Sequence, residues 1–156
     1  KLLFKNGAKI SASSINKELL NELKKEVHFI EINPENLFHT NCDIVSPCAL
    51  GKAINAKNRN QLKCAAIVGA ANNQLDKAET SKWLFNNKIV YSPDYLVNSG
   101  GVIAIAAEIN KTENLMDQHL NKISDRLESV LLESKENNVP TDFVAKRIAL
   151  ERINNS

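Results

Sequence analysis

A chain of 156 residues, 43% hydrophobic and 24% charged, is long enough to close about one hydrophobic core and has the make-up of an ordinary soluble protein. Its formal charge of +2 arises from 20 Lys+Arg scattered among 18 Asp+Glu, with 5% aromatic residues, so it offers neither a basic stripe nor a stacking surface for nucleic acid. No apolar run approaches the roughly 20 residues of a membrane span. The three cysteines, Cys42, Cys48 and Cys64, lack CxxC spacing and follow no signal-peptide pattern, which is the expectation for a reducing cytoplasm.

The opening KLLFKNG reads as the last turns of a helix closed by Gly7. With no initiator Met, a chain that opens inside an element is expected to be the later part of a longer protein. A short strand, Ala8 to Ser13, follows, and then a helix capped by Asn16 with Leu19, Leu20, Leu23 and Val27 on one face. Phe29 to Ile32 form a second strand that Pro34 stops, with a helical turn through Glu35 and Leu37. Asp43–Val45 and Ala65–Val68 are further strands, followed by a helix around Lys77 to Asn87 that buries Trp83 and Leu84, and by a strand at Ile89–Tyr91. Gly100 and Gly101 open an apolar helix, Val102 to Ile109. A longer helix then carries Leu120, Ile123, Leu127, Val130 and Leu131 on one stripe, and a last one from Thr141 turns Val144, Ile148 and Ala149 inward.

Short apolar strands alternating with helices predict an α/β fold, a Rossmann-like parallel sheet with helices on both faces, because parallel crossovers need a dozen or so residues and usually a helix. Residues 1–111 are expected to form a partial nucleotide-binding domain and residues 112–156 a C-terminal helical segment packed on it.

Three loops leave the carboxyl ends of predicted strands, the edge where open α/β sheets bind ligands: Ser46 to Gly51, Gly69 to Leu75, and Ser92 to Gly101. In the first, Pro47 bends the chain, Gly51 permits a positive φ or a close backbone approach, and Cys48-Ala49-Leu50 offer a small apolar surface for a flat ring, or form no more than a tight turn. In the second, the amides of Asn72 and Asn73 suit a ribose hydroxyl or a carboxamide, or else cap the next helix. In the third, Asn98 precedes Ser99-Gly100-Gly101 at a helix N-terminus, where free N–H groups favour partial negative charge. The two glycines there either admit a ligand to the backbone or make a sharp turn.

Taken in order, DIVSPCALG, LKCAAIVGAANNQL and IVYSPDYLVNSGGVIAIAAE resemble the leucine, phenylalanine and valine dehydrogenases, relatives of glutamate dehydrogenase, and the likeness runs from KNGAKI to the terminal ERI. The resemblance implies an NAD site, with NADP left open. Pro47, Cys48 and Ala49 would lie along the adenosine and ribose side, Asn73 beside the nicotinamide ribose, Asn72 within the same cofactor site, and Asn98 near the nicotinamide carboxamide and the substrate amine. Val102 and Ile105 match positions that wall the substrate side chain, and otherwise would fill a helix–sheet core. The implied reaction is oxidative deamination of a branched-chain L-amino acid to a 2-oxo acid and ammonia, by hydride transfer from the α-carbon to the nicotinamide. An assembly of several copies of the chain is compatible with the family.

The match also has gaps. The chain holds no GxGxxG, the turn whose backbone donors grip a dinucleotide pyrophosphate. The family's paired catalytic lysines belong to an N-terminal domain, so no catalytic residue and no metal ligand is assigned here, and Lys52 beside the first loop reads as solvated surface. Ser14 stands where the family usually places an acidic residue for the adenosine ribose hydroxyls, which weakens the expected preference for NAD over NADP. Ala104 stands where leucine dehydrogenases commonly carry Asn. The rival expectation is a non-catalytic remnant that binds nucleotide weakly or oligomerises.

Overall fold

The computed structural model describes residues 1–155. They fall into two compact units, Lys1–Thr40 and the remainder from Asn41.

In the first unit a short helix, α1 (Leu2–Lys5), precedes a β–α–β passage of β1 (Ser11–Ala12), α2 (Lys17–Lys24) and β2 (Ile30–Glu31), followed by a 3-10 helix, Pro34–His39. The strands are parallel, with Ser11 opposite Ile30. As expected from sequence, Asn16 starts α2, its side-chain oxygen accepting the Leu19 N–H at 3.0 Å. Leu20, Val27 and Phe29 form the core, with Ile10, Ala12 and Leu23 packed against it. Leu19, expected inward, is 61% exposed. Leu20 and Leu23 set the buried stripe, and Leu19 lies about 100° around the helix from Leu20. Lys17 and Lys24 both reach from α2 to Glu31, Lys24 at 2.7 Å. Their hydrogen bonds and charge hold the Glu31 carboxyl down at about 2.

The second unit is built on β3 (Ile44–Val45), β4 (Ala66–Ile67) and β5 (Val90–Tyr91), three parallel strands in that order, with Ile44, Ala66 and Val90 in register. Burial alternates with the pleat. Val45, Ile67 and Tyr91 are buried, whereas Ile44 and Val90 on the other face stay 56% and 44% exposed. The helices are α3 (Ala78–Asn86), α4 (Asp94–Val97), α5 (Gly100–Asn110), α6 (Met116–Asn137) and α7 (Thr141–Asn154). Leu84 of α3 is fully buried, while Trp83, expected to be buried with it, is half-covered, with the Arg59 guanidinium 5.3 Å from its ring centroid.

α6 and α7 share a core of Val130, Val144 and Ala145, against which Leu96 of α4, Val139 and Ile148 pack. Ala145 takes the inward position expected of Ala149, which is exposed. Thr141 at the head of α7 donates its hydroxyl to the Tyr91 carbonyl, and Ser81 of α3 donates to Asp142. The C-terminal helices thereby fix the end of β5 and the segment that follows it. No helix among the described residues is long and apolar enough to cross a membrane.

Candidate functional site

Because β3, β4 and β5 are parallel, the three loops that follow them emerge at one end of the sheet. The first two lie backbone against backbone. Pro47 is buried and its carbonyl accepts the Ala71 N–H at 3.0 Å. Gly69 makes this approach possible, since a Cβ there would sit 2.2 Å from the Pro47 carbonyl oxygen and 2.6 Å from its ring. The far end of the first loop is pinned as well. The Lys52 N–H donates to the Asn73 carbonyl at 2.6 Å, and the Ile54 N–H to the Gln74 carbonyl at 3.0 Å. Of the two roles open to Gly51, close approach is the one observed, a Cβ there meeting the Asn72 carbonyl at 2.9 Å. The positive φ falls instead on Lys52 (58°) and on Asn73 (52°). Between these two anchor points Cys48, Ala49 and Leu50 stand exposed.

Gln74 joins the second loop to the third, a role that its sequence did not signal. It is fully buried, its side-chain amide donates to the Gly69 and Ala71 carbonyls at 2.6 and 3.0 Å, and its backbone N–H donates to Asp94 Oδ2 at 2.7 Å. Asp94 Oδ1 accepts the Tyr95 N–H at 2.7 Å. The neighbouring tyrosines are held neutral. Burial, then the charges of Asp142 and Asp94, push Tyr95 up to about 12, and burial followed by Asp94 raises Tyr91 as well.

At the rim, Asn98 Nδ2 donates to Asn72 Oδ1 at 2.6 Å and lies 3.4 Å from the Ala70 carbonyl oxygen. The pairing leaves Asn98 Oδ1 able to accept and Asn72 Nδ2 able to donate, a set of groups complementary to a primary carboxamide. Beyond Asn98, Ser99 turns its hydroxyl back to the Leu96 carbonyl, so the first turn of α5 has no side-chain cap and its N–H groups are unclaimed. A Cβ on Gly101 would meet nothing within 4 Å, leaving that face of the helix start open. Val102 and Ile105, about one helical turn apart on α5, are 71% and 60% exposed and therefore fill no core here.

The structure thus ties Pro47, Asn72, Asn73 and Asn98 together, with Cys48 and Ala49 on the same rim and Val102 and Ile105 on the helix that leaves it. Ser14 lies in the other unit, half-buried, its hydroxyl accepting the Asn16 N–H at 3.1 Å in the turn after β1. Lys52 is an exposed residue of the loop anchor.

Residues 5–155 match the Glutamate/Leucine/Phenylalanine/Valine dehydrogenase family. The leucine dehydrogenase of Geobacillus stearothermophilus is 38% identical over 153 residues, which is 97% of this chain and 41% of that protein. The crystal structure of L-tryptophan dehydrogenase from Nostoc punctiforme is similar with a TM-score of 0.93 and 32% identity, over 99% of this chain and 46% of that one. The hetero-hexameric glutamate dehydrogenase of Thermus thermophilus, in its Leu-bound form, matches at a TM-score of 0.65 and 20% identity over 86% of this chain and 34% of its own, a likeness of fold. The chain spans about two-fifths of the length of the curated relatives it matches. On this sequence match across residues 5–155, the chain belongs to the glutamate/leucine/phenylalanine/valine dehydrogenase family.

Proposed function

We propose that the chain is the nucleotide-binding part of an amino-acid dehydrogenase that oxidatively deaminates a branched-chain L-amino acid to a 2-oxo acid and ammonia. The supporting observation is the Asn98–Asn72 amide pair, which joins the second and third loops and keeps one acceptor and one donor uncommitted. Bound NAD would take up the hydride released from the substrate α-carbon. The chain's own residues bind and orient. Pro47, Cys48 and Ala49 form the shelf on the adenosine and ribose side, Asn73 stands beside the nicotinamide ribose, and Asn98 holds the carboxamide and faces the substrate amine. In the first unit, Ser14 after β1 brings no carboxylate to refuse a 2'-phosphate, which leaves NADP an acceptable partner. Val102 and Ile105 bound the aliphatic side chain. A catalytic domain carrying the lysine pair, together with a glycine-rich turn for the pyrophosphate, completes the enzyme, which works in the cytoplasm as an assembly of identical copies.

Asn98→Ala is the direct test, made in this chain joined to the preceding part of a leucine dehydrogenase, its catalytic domain and glycine-rich turn included. It should lower kcat/KM for leucine by roughly 100-fold, the scale of losing one well-placed polar contact to a reacting group. An unchanged kcat/KM would remove Asn98 from the site.

A further inference from the structure

The strands reach past the two-residue ladders at the end away from the loops. Asn41 bridges Lys63 in parallel, and the Cys42 N–H donates to the Lys63 carbonyl at 3.1 Å. This register matches Ile44 opposite Ala66, so it places Cys42 directly opposite Cys64, on the face that carries Ile44 and Ala66. Both cysteines are half-buried, and both line one cavity with Leu62 and Trp83. Adjacent strands lie about 4.8 Å apart, inside the Cα–Cα range of roughly 4.4–6.8 Å that a disulfide accepts. The remaining cysteine, Cys48, lies past the far end of β3, in the loop at the opposite end of the strand from Cys42.

We propose that Cys42 and Cys64 form a cross-strand thiol pair that closes reversibly to a disulfide under peroxide. One thiolate attacks a peroxide oxygen, the O–O bond breaks, and the released hydroxide takes up a proton to leave as water. The sulfenic acid so formed is attacked by the second sulfur, its S–O bond breaks, and a second water leaves with the remaining thiol proton. Two thiols and one hydrogen peroxide thus give one disulfide and two waters, and an external dithiol reverses the change by exchange. The link would fasten β3 to β4 at the end opposite Pro47 and Gly69, clear of the loop rim. Burial, then the adjacent Cys42, raises Cys64, and burial, then Asp43, raises Cys42. Both are mainly thiols at neutral pH, so closure should quicken as pH rises. None of this rests on the dehydrogenase reading.

The test is the 156-residue chain carrying Cys48→Ser, treated with dilute hydrogen peroxide and read by intact mass, thiol titration and Trp83 fluorescence. Expected are a monomer lighter by two hydrogens, loss of both titratable thiols, quenched Trp83 emission, and recovery of all three with dithiothreitol. The chain with Cys42→Ser and Cys48→Ser should lose no hydrogen pair. In the unsubstituted chain, peptide mapping should find Cys42 linked to Cys64. Persistence of both thiols in the folded protein, separate oxidation of each cysteine, or links that run only between chains or to Cys48 would overturn the proposal.

Discussion

Gly69 shows how one missing side chain shapes the site. Its position allows the Pro47 carbonyl to come within reach of the second loop, and an added Cβ at 2.2 Å from that oxygen would force backbone, not a pliable side chain, to move. Gly69→Ala is expected to destabilise the chain by about 1–3 kcal/mol or more, the range for overpacking a close-fitted interior, measured as a lowered urea midpoint with unchanged m. Gly101→Ala is the matched control. Nothing lies within 4 Å of its Cβ and it sits in α5, so the change should be neutral or stabilising by up to about 1 kcal/mol. Gly69 was legible only as a loop residue, because close approach to a residue on another strand leaves no local mark. Gln74 was hidden for a related reason. A polar residue in GAANNQL reads as surface until its partners, two carbonyls and the Asp94 carboxylate, are seen around it. Asn16, whose cap bond spans three residues, was readable from local chemistry alone.

At the level of elements, α5 was expected as an apolar helix, and its sequence left open whether Val102 and Ile105 line a pocket or a core. Their exposure rules out a core within the described residues, and the two roles now separate cleanly in experiment. In this chain joined to the preceding part of a leucine dehydrogenase, glycine-rich turn included, Val102→Ala with Ile105→Ala should move preference from valine towards phenylalanine by roughly 10–200-fold in relative kcat/KM. Stability should stay within about 0.5 kcal/mol per site, as for surface positions. A large stability loss with unchanged substrate ranking would take both residues out of the pocket. Between α2 and β2, the two lysines on Glu31 lower its folded pKa from 4.5 to about 2. A carboxyl depressed on folding stabilises the native state above its unfolded pKa, and that contribution fades as pH falls from about 4.5 to about 2. The stability gap between the wild-type chain and Glu31→Gln should be full above about pH 4.5, narrow through that window and close below about 2. Added salt should shrink the difference, since the lysines are largely exposed.

Across the whole molecule, the α/β class and the strand order along the chain followed from alternating apolar runs and helices. The ladders proved shorter than those runs, two residues each, because an apolar run marks burial while a ladder requires a paired neighbour. Within the second unit, the C-terminal helices, fastened to β5 through Thr141, place the loop rim. That fastening pairs residues 50 positions apart, beyond the reach of any local pattern. Whether this rim serves amino-acid oxidation is decided by following nicotinamide reduction, by absorbance, in this chain joined to the preceding part of a leucine dehydrogenase, its catalytic domain and glycine-rich turn included, and supplied with leucine, isoleucine or valine. The expected result is amino-acid-dependent formation of the reduced nucleotide together with ammonia and the 2-oxo acid, with none from the 156-residue chain alone. A folded joined protein that reduces neither NAD nor NADP with any of the three amino acids would contradict it.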